Sequence, residues 1–209
     1  MPHDGMIPDV LHIGPIPIHL FGMFLALAFL GAGSVAGREF ARKGYDPAIA
    51  SATVVWAAVG GIIGARLWIV LDAWSEFVRA PLSFLLTGGG FVWYGGLLGG
   101  AVAVTVYFRR ERVPWLEGAD AVAPALAIGQ AIGRIGCQLS GDGDWGTETT
   151  VPWGVAYPHA VVGWDKAPGV RVHPTPLYEC AAYLVIFAIL WRLRRQPVRE
   201  GTVFSAYLV

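Results

Sequence analysis

Two arginines stand where a charge is expensive. Arg66 falls inside the apolar run 47–71 and Arg134 inside the run 119–139. An Arg at the middle of a membrane helix costs roughly 2.5–3.5 kcal/mol on insertion scales, so an unrelieved pair costs about 5–7 kcal/mol. Such residues face a partner, the interior of a bundle or a water-filled cavity. His19, Tyr94 and Glu179 stand at the starts of three further apolar runs and supply an imidazole, a phenol and a carboxylate. Either each of these side chains extends separately to the nearest interface, or the five together line one cavity open to one side of a membrane. Arg66 and Glu179 taken alone also have the character of an ion pair along a transport pathway.

A second concentration of polar groups lies in the one long loop, residues 138–176, which carries Asp142, Asp144, Glu148, His159, Asp165 and His173. Its Pro, Gly and Trp content predicts a turn-rich cap rather than a helix. The D-G-D pair suggests a Ca2+ loop but lacks the twelve-residue spacing and closing Glu of an EF-hand, so neither a metal nor a cofactor is expected. Cys137 and Cys180 flank the loop. In an oxidising compartment they can pair; otherwise they are small packing residues. A nucleophilic Cys137 would need a base beside it, and the sequence offers none.

The elements that position these groups are membrane helices. Hydrophobic residues make up 55% of the 209 and charged residues 14%; 15 basic residues balance 15 acidic ones, and the mean hydropathy is +0.54. A soluble domain carries roughly 25% charged residues. The apolar bias excludes a disordered chain, the neutral balance argues against a nucleic-acid partner, and two cysteines do not make a disulfide scaffold. The expectation is an all-α, polytopic helix bundle surrounded by membrane lipids, a single domain over residues 1–209. Spans are expected at about 18–37, 47–71, 91–108, 119–139 and 177–193, most of them near the roughly 20 residues that a crossing needs. Residues 201–209 read as the start of a sixth. Nine helical residues rise only about 13 Å against a core of about 30 Å, so the C-terminus is expected to be truncated. The first run lacks the basic leader and A-x-A-like site of a signal peptide.

Loop charges orient the bundle. Arg38, Arg42 and Lys43, then Arg109, Arg110 and Arg112, then Arg192, Arg194, Arg195 and Arg199 occupy alternate loops, ten of the 15 basic residues. The positive-inside rule therefore places the N-terminus outside. Trp74, Trp93, Trp115 and Trp191 fall near span ends, as an aromatic belt requires. In this orientation His19, Arg66, Tyr94, Arg134 and Glu179 all lie at the outer level, beside the cap. Glycines four apart, such as Gly60 and Gly64 or Gly95 and Gly99, predict close helix contacts. Gly95 and Gly96, next to Tyr94, could also let a ligand approach the backbone.

Several segments together resemble one family. GRIGC (133–137) is followed by SGDGDWG (140–146); WYGGLLGG (93–100) opens the third run; HPTPLYE (173–179) closes the cap; IHLFG (18–22) and GAR (64–66) complete the order. The chain is similar to prolipoprotein diacylglyceryl transferases over nearly its whole length. The resemblance implies an enzyme of the bacterial inner membrane, active at its outer face, with phosphatidylglycerol and the lipobox cysteine of a preprolipoprotein signal peptide as substrates. It implies Arg134 as the essential arginine of G-R-x-G, holding the lipid phosphate by bidentate bonds, with Arg66 sharing that phosphate or pairing with Glu179. Tyr94 and His19 join Arg134 as implied catalytic residues. Gly95, Gly96, Gly133, Gly136, Asp142, Gly146, His173, Tyr178 and Glu179 join Arg66 in binding substrate. The substrate's thiol needs a base, and His19, Tyr94, His173 and Glu179 are all candidates. Asp120 matches an acidic family position but falls at the inner end, where a structural role is expected.

The departures from the family pattern are specific. Tyr94 stands where many members have His, and a phenol with a reference pKa near 10 is a poorer base at neutral pH. Phe21 replaces a usual Tyr, and Cys137 a usual Asn. The family continues past Val209 to complete a sixth span and add a seventh. These differences keep one rival in view, a catalytically impaired lipid-binding relative, and the pair Arg66 and Glu179 keeps a second, a membrane transporter. No pair of broken spans or inverted repeat supports the transporter.

Overall fold

The computed structural model describes residues 10–13, 16–82 and 92–209. Within them a short hairpin, β1 (Val10–Ile13) and β2 (Ile16–His19), precedes helices α1 (Leu20–Arg42), α2 (Ala48–Asp72), α3 (Trp74–Arg79), α4 (Trp93–Arg110), α5 (Trp115–Ser140), α6 (Thr175–Leu193) and α7 (Thr202–Leu208). The helical architecture agrees with the sequence reading, and the hairpin is an addition to it. Its strands are antiparallel, pairing Val10 with His19 and Ile13 with Ile16. Pro17 keeps the preceding residue out of the helical region, so the first helix begins at Leu20 rather than at residue 18. That helix also runs further than expected. Arg38 and Arg42, assigned to a loop from sequence, lie in its last turns.

Three helices, α1, α2 and α6, are long and apolar enough to cross a membrane. Helices α4 and α5 occupy two other expected spans with 18 and 26 residues. Their apolar character is diluted, by four glycines and two terminal arginines in α4, and by Glu117, Asp120, Gln130, Arg134 and Gln138 in α5.

Contacts divide the chain into two compact units, residues 37–119 and residues 1–36 with 120–209. In the first, α2 and α4 meet along a glycine seam. A Cβ added to Gly64 would overlap the carbonyl of Gly95, and one added to Gly99 the carbonyl of Gly60. Backbones in such contact tolerate no side chain, which is why glycine recurs at i and i+4 on both helices. Aromatic rings gather at the other end of these helices. Phe40 lies edge-on to Phe108 at 6.0 Å, and Trp56 stacks on Tyr107 at 5.8 Å.

In the second unit, α1 lies against α5 through small residues. A Cβ on Gly129 would sit 3.4 Å from the Ala32 side chain, and one on Gly136 would sit 3.0 Å from that of Phe24. Helices α5, α6 and α7 share a core of Ala123, Ala127, Leu190 and Val203. Asp120, 4% exposed, is fixed in this unit. Its carboxylate accepts hydrogen bonds from the backbone N–H groups of Gly201 and Phe204, both at 2.8 Å. Those amides belong to the N-cap residue and the first turn of α7, where N–H groups have no partners within the helix. The acid thus caps a helix 80 residues away in sequence, in keeping with the structural role expected of it.

Candidate functional site

The polar site of the second unit is built by the end of α5, the start of α6 and the loop between them. Arg134 projects from α5 and is held by two carboxylates. Its Nε pairs with Oε2 of Glu179 on α6, and its Nη1 pairs with Oδ2 of Asp144 on the loop. Nη1 also lies 3.8 Å from Sγ of Cys137, one helical turn along. The guanidinium is 27% exposed, Glu179 37% and Asp144 51%, so the arginine is reachable while half-sheltered. Oε2 of Glu179 is shielded from solvent and, among the described residues, accepts no hydrogen bond of good geometry. Its charge is met by the arginine.

Local backbone geometry aims Asp144 at this arginine. Gly141 and Gly143 adopt φ of +63° and +99°, a left-handed region that favours glycine. The Gly141 amide donates to the Cys137 carbonyl at 3.0 Å and closes α5. The Asp144 amide approaches Oδ1 of Asp142 at 3.4 Å. Asp142, the acid expected from sequence to serve the site, lines a cleft of about 440 Å³ with His19, Phe21, Gly22, Ser140 and Val161. The IHLFG segment and the acidic loop therefore do converge. Sγ of Cys137 and carboxylate oxygens of Asp142 and Asp144 lie within 4.8 Å of one another. A cation there would compete with Arg134 for Asp144.

Between residues 141 and 174 the loop contains no helix and packs around Tyr157. Tyr157 is completely buried, stacks on Trp145 at 5.1 Å and donates its hydroxyl to Oε1 of Gln138 at 2.9 Å. Burial pushes its pKa up to about 12, helped by the negative charge of Asp142. The Gly146 amide donates to the His173 carbonyl at 2.9 Å, and a Cβ there would lie 2.7 Å from Oγ1 of Thr175. Tyr178 receives a hydrogen bond from Nε1 of Trp153 at 2.6 Å and lies 3.0 Å from Nδ1 of His173. An indole N–H only donates, so the Tyr178 oxygen is the acceptor for Trp153, and the same hydroxyl links Trp153 to His173.

The remaining expected residues are distributed as follows. Gly133 has open space beside its Cα, and Gly136 is pressed against Phe24. Arg66, Tyr94, Gly95 and Gly96 belong to residues 37–119. Arg66 is half-buried on α2. Tyr94 is 63% exposed in the first turn of α4, its ring edge-on to Trp93 at 5.2 Å. Gly95 is buried in the seam, with a hypothetical Cβ only 2.5 Å from the Gly64 carbonyl, and Gly96 lies beside Gly61. Packing alone is enough to require glycine at position 95. Cys137 and Cys180 are free thiols, which removes the disulfide option. Sequence reasoning missed Asp144 as the partner of Arg134, although it sits two residues from the acid chosen. It also missed Trp153, which no local motif marks.

Comparison with known proteins places these features in a wider set. The family model described as prolipoprotein diacylglyceryl transferase matches residues 8–209. A phosphatidylglycerol–prolipoprotein diacylglyceryl transferase of Trichormus variabilis is 34% identical over 208 residues, covering 96% of this chain and 73% of its own length. Proteins of the same name from Cupriavidus necator and Corynebacterium glutamicum are 33% and 34% identical, covering 99% and 95% of this chain and 76% and 67% of their own lengths.

Proposed function

This chain belongs to the prolipoprotein diacylglyceryl transferase family, and from that premise we propose that it moves the diacylglyceryl group of phosphatidylglycerol onto the lipobox cysteine of a preprolipoprotein signal peptide. The reaction is the first step of bacterial lipoprotein maturation, at the outer face of the cytoplasmic (inner) membrane. The cysteine sulfur bonds to the glyceryl carbon, the bond from that carbon to the phosphate oxygen breaks, the thiol proton passes to a base, and glycerol phosphate leaves.

The observation that carries this reading is Arg134, partly exposed and paired with two side-chain carboxylates. A guanidinium stays charged at any working pH and matches a phosphate with two parallel hydrogen bonds. As the C–O bond breaks, negative charge grows on the departing phosphate, and a fixed cation there stabilises the transition state more than the ground state. Arg66, on α2, is proposed as a further lipid-binding residue. His19, Tyr94, His173 and Glu179 are the candidates for taking the thiol proton, and an imidazole is in general a better base near neutrality than a phenol. His19 also shares its cleft with Asp142. Gly133, Gly136 and Gly146 shape the walls, and His173, Tyr178 and Glu179 bind substrate from the start of α6. Gly95 and Gly96 let the lipid approach α4.

The test is direct. The purified chain, given phosphatidylglycerol and a peptide bearing a lipobox cysteine, is expected to yield the thioether-linked diacylglyceryl peptide, identified by mass spectrometry. Absence of product, under conditions where a family enzyme is active, would sink the proposal.

A further inference from the structure

We infer that Asp144 is a resident anion of the phosphate-binding arginine, a specificity-determining residue that the lipid phosphate must displace to bind. The inference rests on the role proposed for Arg134. Its starting point is charge. One guanidinium already faces two carboxylates, Glu179 at Nε and Asp144 at Nη1. A phosphodiester monoanion added to that arrangement would place three negative charges around one positive one. A phosphate seated at Nη1 would also compete with Asp144 for that nitrogen. The excess of negative charge is relieved when one carboxylate leaves.

The two carboxylates are not equally held. Glu179 belongs to a 19-residue helix, and the oxygen that meets Arg134 is shielded from solvent. Asp144 is 51% exposed and sits on a loop directly after Gly143, whose φ is +99°. An exposed carboxylate regains water when it lets go, and an ion pair of that exposure is weak. Asp144 is the one that yields. Its place on the arginine sets a threshold: an anion must bind Arg134 better than this carboxylate does. A phosphodiester offers more acceptor oxygens than a lone carboxylate and passes. The next residue reports the exchange, because Trp145 lies 5.1 Å from the Tyr157 ring and 5.2 Å from that of Trp164.

The experiment titrates short-chain phosphatidylglycerol into the detergent-solubilised chain, following heat and tryptophan emission. Asp144→Asn is expected to bind the lipid about 3- to 10-fold more tightly than wild type, since the lost competitor is a half-exposed ion pair, and to lower KM for the lipid by the same factor. Asp144→Glu, which keeps the anion, is expected to restore wild-type affinity. In wild type, binding changes the emission, and Trp145→Phe removes that change. An Asp144→Asn protein that binds the lipid no more tightly than wild type would overturn the inference, as would lipid binding that leaves Trp145 emission unaltered. A purely structural ion pair predicts weaker binding in Asp144→Asn, the opposite sign. Failure of wild type to bind phosphatidylglycerol, or wild-type binding by Arg134→Gln, would strike the role of Arg134 itself and carry this inference down with it.

Discussion

Two of the charged residues on helix α5 are handled in opposite ways. Asp120, near its start, is 4% exposed and receives two backbone N–H groups that cannot move without unfolding α7. Arg134, about four turns further along, is 27% exposed and receives two side-chain carboxylates, one of them on a loop. Both solve the same problem, a charge inside a helix of a membrane protein that needs a partner. The solutions differ in whether the partner can be exchanged. Main-chain donors have no other conformation to adopt, so Asp120 is committed to the fold. Carboxylates on exposed side chains can be traded for another anion, so Arg134 is available to a ligand. Charge in an apolar helix is a signal of importance, and the kind of partner tells which importance it is.

The comparison breaks most visibly at the arginine. Arg134→Ala is expected to lower diacylglyceryl transfer at least about 100-fold, the loss seen when one preorganised donor to a developing anion is removed. Its melting temperature should stay within a few degrees of wild type, because half-exposed ion pairs contribute little to stability. Transfer assays paired with thermal melts check both halves. Near wild-type turnover would remove the phosphate-holding role.

Asp120→Ala should show the reverse pattern. It leaves two N–H groups at the start of α7 without an acceptor, and hydrogen bonds to a charged group are worth about 1.5–3 kcal/mol each. A destabilisation of about 3 kcal/mol is expected, read as a lower melting temperature and as faster amide exchange in residues 201–208. Binding of phosphatidylglycerol by the molecules that remain folded should be unaffected. If the lipid affinity fell while the melting temperature held, the division between the two ends of α5 would be wrong.

Which parts of this were legible in the sequence follows from the range of the interactions. Arg134 and Glu179 stood out because a charge in an apolar run has no local explanation. The glycine seam was legible because spacing at i and i+4 specifies a helix face by itself. The structural reading of Asp120 came from its depth, but its partners, Gly201 and Phe204, lie more than 80 residues on, and no local pattern announces them. Asp144 was passed over for Asp142 because which of two nearby acids faces an arginine depends on the positive φ of Gly141 and Gly143. The hairpin before α1 lies almost wholly ahead of the apolar run 18–37, in a stretch with no assigned element, although Pro17 favours extended chain there. A disulfide between Cys137 and Cys180 was allowed by compartment alone, a criterion that says nothing of geometry.

The smallest expected effect concerns how firmly the arginine's end of α5 is held. Gln138 lies one turn past Arg134 and accepts from the buried hydroxyl of Tyr157 at 2.9 Å. If this contact is fixed, as those of Asp120 are, then only the loop carboxylate near Arg134 is exchangeable. Burial holds the Tyr157 phenol neutral up to about pH 12, whereas an ordinary phenol ionises near 10. Because the folded pKa is raised, the stability tied to the neutral phenol is complete below about pH 10. It is lost as pH rises from there through 12, since the unfolded chain ionises first. Absorbance titration at about 295 nm, wild type minus Tyr157→Phe, should therefore show one phenol ionising well above the others. Tyr157→Phe itself should cost about 1 kcal/mol, the net worth of one neutral hydrogen bond. A difference titration centred near pH 10 would mean that the cap opens readily over Gln138. The exchangeable region would then extend from Asp144 into the end of α5 itself.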